Sequence, residues 1–256
     1  MIDIHHLTYS YYDLIALNDI SFQVPAGKIC GYLGPNGAGK TTTVKILVGL
    51  LSPQTGTVHV AGHNIQPSPV EVKKHIGYVP ESGALYENLT PREFLKCMGY
   101  LHHMSVQQID TRMNEIASAF KLYDRLDEPM MDFSKGMKQK VILTSALLHN
   151  PDVLILDEPL QGLDVQSVSF LKALLKKMAE NGKTIFYCSH LLEIVEHLCD
   201  QIIIIDKGRL VAQGAVSELK SMTQQSKLES VFSQLVGDEN ASQKAEDVIN
   251  RMMEKP

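Results

Sequence analysis

Short, mostly apolar runs alternate along the chain with segments of helical periodicity. Runs of this kind, separated by helices, predict strands of a largely parallel sheet that is covered on both faces. The six predicted strands are residues 28–33, 57–60, 76–79, 153–157, 184–189 and 201–206.

The strand pattern disappears between residues 85 and 150. Thr90, Pro91 and Glu93 have the spacing of a capping box, in which side chains satisfy the free N–H groups at the start of a helix. A second helix is predicted by apolar residues at positions i, i+3, i+4 and i+7, namely Met113, Ile116, Ala117 and Phe120. We therefore expect a helical insertion in an α/β domain.

The sequence becomes rich in Ser and Gln after about residue 220 but retains helical spacing. Two apolar groups predict a two-helix tail: Leu228, Val231, Phe232 and Leu235, and then Val248, Ile249, Met252 and Met253. The predicted organisation is an α/β domain over residues 1–220, with a helical subdomain at about 85–150, followed by a helical tail over residues 221–256.

Composition narrows the functional classes. The 24 basic and 29 acidic residues give a net charge of −5 without a long basic block, which disfavours nucleic acid as a partner. The four cysteines are widely spaced and favour reduced thiols, hence a cytoplasmic chain. The sequence shows neither a signal peptide nor an apolar window long enough for a membrane span. A role at a membrane would therefore need a partner.

A glycine-rich segment follows the predicted strand 28–33. Gly34, Gly39, Lys40 and Thr41 have the spacing of a phosphate-binding loop. Its N–H groups can surround phosphates, Lys40 can reach the β- and γ-oxygens, and the Thr41 hydroxyl can bind Mg²⁺. The third small residue of a dinucleotide-binding loop is missing. The predicted nucleotide-binding segment comprises Gly34, Pro35, Asn36, Gly37, Ala38, Gly39, Lys40, Thr41 and Thr42.

Two acids end the predicted strand 153–157, and a histidine follows the strand 184–189. Asp157 can hold Mg²⁺, and Glu158 can orient and deprotonate a water molecule. If the strands are parallel, His190 lies at the same sheet edge as these acids. His190, Glu193 and His197 also suggest a metal site, although two histidines seven residues apart make a thin ligand set.

Ser134 and Gly136 form a further motif, in addition to the phosphate-binding loop and the acids at the end of strand 153–157. Ser134 is a good N-cap, and the helix that it starts directs free N–H groups at an anion. With this serine-glycine signature and the motifs above, residues 2–220 resemble the ATPase subunit of an ATP-binding cassette (ABC) transporter. The resemblance implies a P-loop NTPase fold: a parallel-rich sheet, an N-terminal antiparallel β portion and an all-helical subdomain insertion.

The resemblance also implies roles for individual residues. Tyr11 occupies the position of an aromatic residue that stacks on adenine, although Tyr12 is adjacent. Asp164 matches a loop that communicates across a dimer, while its local pattern equally fits a helix N-cap. His190 matches a histidine that contacts the γ-phosphate. In the family, two subunits pair head to tail, so that the signature of one closes on ATP bound by the other.

Three positions depart from the usual family pattern. Glu81 replaces a glutamine that joins Mg²⁺ to the helical insertion; a carboxylate still offers oxygen to a metal but adds negative charge near phosphate. Lys135 and Met137 replace the first glycine and the glutamine of the signature. These changes, with the tail segment 227–237, resemble exporter-type subunits.

The predicted function is therefore ATP hydrolysis, with Mg²⁺, by one subunit of a homodimer. This dimer would drive a separate membrane permease and lie peripherally at the cytoplasmic face of the membrane. Soluble relatives that act as switches in translation or DNA repair are the alternative. The former typically carry two cassettes in one chain, and the latter carry a long coiled-coil insertion; this sequence shows neither.

Overall fold

Two β-sheets form the frame of the computed structural model, which describes residues 1–83, 85–237 and Met252. In chain order the strands are β1 (Ile2–Tyr11), β2 (Leu14–Val24), β3 (Ile29–Leu33), β4 (Thr55–Val60), β5 (His63–Asn64), β6 (Ile76–Val79), β7 (Val153–Asp157), β8 (Thr184–Cys188), β9 (Gln201–Asp206) and β10 (Arg209–Ala215). The helices are α1 (Lys40–Leu47), α2 (Pro69–His75), α3 (Pro91–Leu101), α4 (Val106–Ala119), α5 (Lys135–Leu148), α6 (Val165–Glu180), α7 (Leu192–Leu198), α8 (Val216–Thr223) and α9 (Leu228–Val236).

The larger sheet has the strand order β10-β9-β3-β8-β7-β6. Its pairs are parallel except for β9 with β10. Strands β3, β7 and β8 are buried at every position, which explains their continuous apolar sequences. The predicted parallel-rich sheet is confirmed for five of the six runs.

The remaining run, residues 57–60, was wrongly placed in the parallel sheet. It forms part of β4, which belongs to a separate antiparallel sheet of order β2-β1-β4-β5. The antiparallel N-terminal portion that the resemblance implied is therefore present. Continuous apolar runs did not predict strands β1, β2 and β10, because these strands alternate polar and apolar residues.

The region between β6 and β7 is helical, as predicted. Thr90 Oγ1 accepts the Glu93 N–H at 3.2 Å, and Glu93 Oε2 accepts the Thr90 N–H at 2.9 Å, so the capping box is confirmed. Helices α3 and α4 pack around their own apolar core, which includes Leu95, Ile109 and Met113. Helices α3, α4 and α5 are called the helical layer below. Helix α5 connects this layer to the larger sheet, because some of its residues join the helical core while others pack on the sheet.

The first helix of the predicted tail is present as α9. Leu228 and Val231 are buried in the core beneath the larger sheet, and the Leu228 N–H donates to Glu196 Oε2 on α7 at 2.9 Å. The second predicted helix, around residues 248–253, lies outside the described residues apart from Met252. Within the described part of the chain, no helix combines the length and apolar character required to cross a membrane.

A half-buried histidine joins the helical layer to the sheet. The Nε2 atom of His149, at the end of α5, lies 3.0 Å from the carbonyl oxygen of Ile76, and its ring stacks on His102 with centroids 3.7 Å apart. Because a carbonyl only accepts, Nε2 carries the proton, and Nδ1 is buried without a partner. Burial, with the charges of His102, Arg112 and Lys183, lowers the pKa of His149 to about 4.

We predict that His149 makes the fold sensitive to acid. The unfolded chain binds a proton on this ring near pH 6.5 and the folded chain only near pH 4, so the stability it contributes is complete above 6.5 and falls between 6.5 and 4. The loss is at most about 3 kcal/mol. The free energy of unfolding of His149→Gln, measured by urea denaturation, should decline less over this range than that of the wild type. The exposed His197→Gln serves as control; identical acid slopes for wild type and His149→Gln would contradict the prediction.

Candidate functional site

The predicted phosphate-binding loop connects β3 to α1, and close packing requires glycine at two of its positions. Gly39, at the N-cap of α1, has φ 106°, and a Cβ atom there would lie 2.6 Å from the Ala16 carbonyl oxygen. A Cβ atom on Gly34 would lie 2.4 Å from the carbonyl oxygen of Ile205. The loop is thus pressed against β2 and β9, and a side chain at either position would displace it.

Lys40 and the start of α1 form the positive side of the site. Lys40 Nζ donates to the carbonyl oxygens of Gly34 at 2.7 Å and Pro35 at 3.0 Å, which holds the ammonium over the loop. The first N–H groups of α1 have no partners within the helix and can donate to an anion. Below them, the buried Tyr32 hydroxyl lies 2.9 Å from Thr43 Oγ1 and supports the helix from the core.

These groups line a cavity of about 340 Å³ with residues from distant parts of the chain. Tyr11 contributes to the cavity wall and packs edge-to-face on Tyr9, whereas Tyr12 is fully exposed in the turn between β1 and β2. Of the two tyrosines, Tyr11 therefore lies where a base could stack. The other predicted residues in the lining are Asn36, Gly37, Gly39, Lys40, Thr41, Thr42, Glu81, Asp157, Glu158 and His190.

Three carboxylates meet at the carboxyl end of β7. Asp157 is buried, and burial, followed by the charges of Glu81 and Glu158, raises its pKa to about 6. Glu81 follows β6, the neighbouring parallel strand, and is exposed. With the Thr41 hydroxyl, Glu81 and Asp157 supply oxygen ligands of the kind that Mg²⁺ prefers. A divalent cation would offset the repulsion among the acids.

Glu158 is held in a fixed position by three hydrogen bonds. Its Oε1 accepts the His190 N–H at 2.7 Å and lies 2.8 Å from His190 Nδ1, while its Oε2 accepts the Ser189 hydroxyl at 2.9 Å. The backbone of Glu158 has φ 48°, a conformation that costs energy in a non-glycine residue and occurs preferentially at functional sites. The structure thus pairs Glu158 with His190 through the parallel strands β7 and β8.

Ser189 was not predicted to belong to the site. It is buried, and besides its bond to Glu158 it accepts the Leu191 N–H at 3.1 Å. A polar residue between an apolar strand and His190 was the available signal, but its orientation toward Glu158 depends on the pairing of β7 with β8.

The signature lies outside this cavity. Ser134 caps α5, and its Oγ accepts the Met137 N–H at 3.3 Å, as expected from the sequence. A Cβ atom on Gly136 would lie 2.1 Å from the carbonyl oxygen of Gly162, so α5 touches the segment that follows Glu158. Lys135 Nζ donates to Gln161 Oε1 at 2.8 Å across the same contact. Lys135, which stands where the usual family signature has its first glycine, therefore has a hydrogen-bond partner in this chain.

Asp164 is the N-cap of α6. Its carboxylate accepts the Ser167 N–H at 2.9 Å and lies 2.7 Å from Lys140 Nζ on α5. The hydrogen bond from Lys140, with those from Ser167, lowers the pKa of Asp164 well below its usual range. The N-cap interpretation of Asp164 is confirmed. Its position joins the signature helix to the segment after Glu158 within one chain.

The alternative metal site at His190, Glu193 and His197 is not formed. In the described ranges, the three residues whose ligand atoms approach within 4.8 Å of one another lie elsewhere, on β5 and α2. His190 instead faces Glu158.

Known proteins resemble this chain over most of its length. A family model described as ABC transporter matches residues 17–161. The ABC transporter ATP-binding protein NatA of Bacillus subtilis (strain 168) is 36% identical over 219 residues, which are 85% of this chain and 89% of that protein. The Nod factor export ATP-binding protein I of Burkholderia lata is 37% identical over 214 residues, 84% of this chain and 70% of that protein. The solved structure of an ATP binding subunit of an ABC transporter superposes with a TM-score of 0.88 at 30% identity, covering 92% of this chain and 99% of the other.

We predict that Glu158→Gln slows ATP hydrolysis by about 10²–10⁴-fold, because the amide cannot accept the proton of an attacking water. ATP binding should persist, since the contacts of the phosphate loop do not involve Glu158. Phosphate release measures the first effect, and titration with a fluorescent ATP analogue measures the second. Glu193→Gln is the matched control, because it makes the same change at an exposed position on α7. Hydrolysis at the wild-type rate by Glu158→Gln would exclude Glu158 as the general base.

Proposed function

This chain belongs to the ABC transporter family as an ATP-binding subunit that hydrolyses ATP, and we propose that it drives export through a separate membrane permease. The observation that carries the proposal is that Glu81 borders the nucleotide cavity and that α3, the first helix of the helical layer, follows it along the chain at Pro91. A change at the nucleotide can thus be transmitted to helices that a membrane protein can contact.

The residues of the cavity account for the reaction in chemical terms. Lys40 and the N–H groups at the start of α1 bind and neutralise phosphate oxygens. Thr41, Asp157 and Glu81 would hold Mg²⁺, which supplies further neutralisation of charge on the phosphates. Glu158, held by Ser189 and His190, orients a water molecule and accepts its proton.

His190 has a second role in this proposal. Because an ionised carboxylate accepts but does not donate, the short contact with Glu158 places a proton on His190 Nδ1. The imidazole is mostly exposed, with 67% of the side chain accessible, so Nε2 remains free to contact the γ-phosphate. His190 would then position both the general base and the γ-phosphate that the activated water attacks.

The working form that we propose is a head-to-tail homodimer. Ser134 and Gly136 do not line the cavity formed by Lys40 and Glu158 in their own chain. The free N–H groups at the start of α5 are nevertheless suited to bind an anion. A second subunit could place these groups on the γ-phosphate, which would complete the site.

We predict that ATP dimerises the Glu158→Gln protein and that adding Ser134→Arg abolishes the dimer, because the longer side chain would block the approach of α5 to ATP on the other subunit. Light scattering should show the mass of 28.5 kDa double with ATP only when Ser134 is intact. Ser105→Arg is the matched control, since Ser105 caps α4 in the same helical layer. A dimer that persists with Ser134→Arg would exclude the signature from the interface.

Two large apolar side chains, one before α3 and one at its end, are exposed and could contact a permease. Tyr86 is 73% exposed and Leu101 is 68% exposed, both outside the apolar core formed by α3, α4 and α5. The relative from Burkholderia lata is named for export of Nod factor, and this supports export as the direction. We propose that a short cytoplasmic helix of the permease docks here, which would place the chain peripherally at the cytoplasmic face of the membrane.

We predict that cysteine at Tyr86 cross-links to a membrane protein in intact cells, in a Cys97→Ser background that removes the exposed native thiol. Val70→Cys is the control, because Val70 is similarly exposed on α2, outside the helical layer. Mass spectrometry of the product identifies the partner. If Tyr86→Cys yields no membrane protein and the ATPase copurifies with ribosomes or DNA, the proposal is wrong and the soluble-switch alternative is correct.

A further inference from the structure

We propose that His63, Glu71 and His75 bind a zinc ion on the surface of the α/β core. His63 lies on β5, while Glu71 and His75 lie on α2. One potential ligand atom of each residue lies within 4.8 Å of those of the other two. None of the three lines the nucleotide cavity, so this site is separate from the site of ATP hydrolysis.

The local fold brings the three groups to one side of α2. Glu71 and His75 are four residues apart and therefore neighbours on the helix surface, with His75 Nε2 at 3.8 Å from Glu71 Oε1. The His63 ring stacks on the His75 ring with centroids 5.1 Å apart and an angle of 18° between their planes. All three residues are half-buried, so a small ion can reach them, and the His63 ring would turn out of the stack to direct a nitrogen lone pair at the ion.

An independent contact orients His75 as a ligand. Its Nδ1 lies 2.7 Å from Oδ2 of Asp152, the residue before β7. Because the ionised carboxylate only accepts, Nδ1 carries the proton, and in the neutral imidazole Nε2 then presents a lone pair on the side of Glu71. A histidine that binds a metal through one nitrogen usually donates the other N–H to a carboxylate or carbonyl. Lys183 Nζ donates to Oδ1 of Asp152 at 2.9 Å and so fixes this carboxylate in turn.

The chemistry of the ligand set favours zinc. Two imidazoles and one carboxylate form a set that zinc accepts, with a water molecule as the fourth ligand. Mg²⁺ and Ca²⁺ prefer oxygen ligands and are disfavoured here. Lys74 Nζ donates to Glu71 Oε2 at 2.7 Å but leaves Oε1, the atom nearer to His75, available for the ion.

The test measures zinc binding by protein that has been stripped of metal with EDTA, in the Cys97→Ser background and without nucleotide. We expect one zinc ion per chain by competition with a chromogenic chelator, and a melting temperature raised by several degrees at saturating zinc but not by Mg²⁺. His63→Gln, Glu71→Gln and His75→Gln should each lose this binding. His197→Gln, an exposed histidine on α7, should retain it. ATP hydrolysis by each variant in zinc-free buffer with Mg²⁺ checks that it is folded.

Asp152→Asn tests the orienting contact. We expect it to weaken zinc binding about 10–100-fold while the site remains intact, since Asp152 acts through His75. Co²⁺ provides a spectroscopic readout: tetrahedral absorption bands should appear in the wild type and in Asp152→Asn but not in His75→Gln. The proposal is overturned if the wild type takes up no zinc at micromolar concentration. It is also overturned if uptake survives in the His63→Gln, His75→Gln double variant or is lost only in Asp157→Asn.

Discussion

Burial of Asp157 next to two further carboxylates, at the carboxyl ends of β6 and β7, is the constraint on which the nucleotide site depends. Burial, followed by the charges of Glu81 and Glu158, raises the pKa of Asp157 to about 6, so the folded chain disfavours its ionised form. The Lys40 ammonium opposes the effect, because its positive charge lowers this pKa. The site is therefore arranged so that a bound cation stabilises it. Folding places the acids together, and binding of Mg²⁺ with ATP would reduce the free-energy cost of holding their negative charges close to one another.

The buried strands explain how much of this arrangement the sequence predicts. Where a strand is covered on both faces, as β3, β7 and β8 are, its apolar run is continuous and its end is sharply marked by Gly34, Asp157 and Ser189. Parallel pairing then brings the residues after these ends to one edge. The phosphate loop, the two acids and His190 could be assigned for this reason, and the fold class with them.

The remaining features depend on contacts that no local pattern encodes. Strands β1 and β10 alternate polar and apolar residues, and β4 pairs with β1 instead of joining the larger sheet. The hydrogen bond from Ser189 to Glu158 joins residues 31 positions apart. The choice between Tyr11 and Tyr12 depends on the turn after β1, where Tyr12 has φ 51° and is directed away from the cavity. In each case the sequence is compatible with more than one strand pairing or side-chain position, and tertiary contacts determine which one is formed.

Contacts within one chain also explain how two nucleotide sites could be coupled. Gln139 Nε2 donates to the Pro159 carbonyl oxygen at 3.0 Å, and Lys140 on the same helix is paired with Asp164. The signature helix α5 is thus tied to both ends of the segment that begins directly after Glu158. In the proposed head-to-tail dimer, α5 of one subunit contacts ATP on the other, while the segment after its own Glu158 moves with it. Because Glu158 requires a strained backbone and three hydrogen bonds to hold its orientation, a small displacement of this segment would suffice to alter it. Closure on one nucleotide would therefore be communicated to the general base at the other through direct contacts of α5.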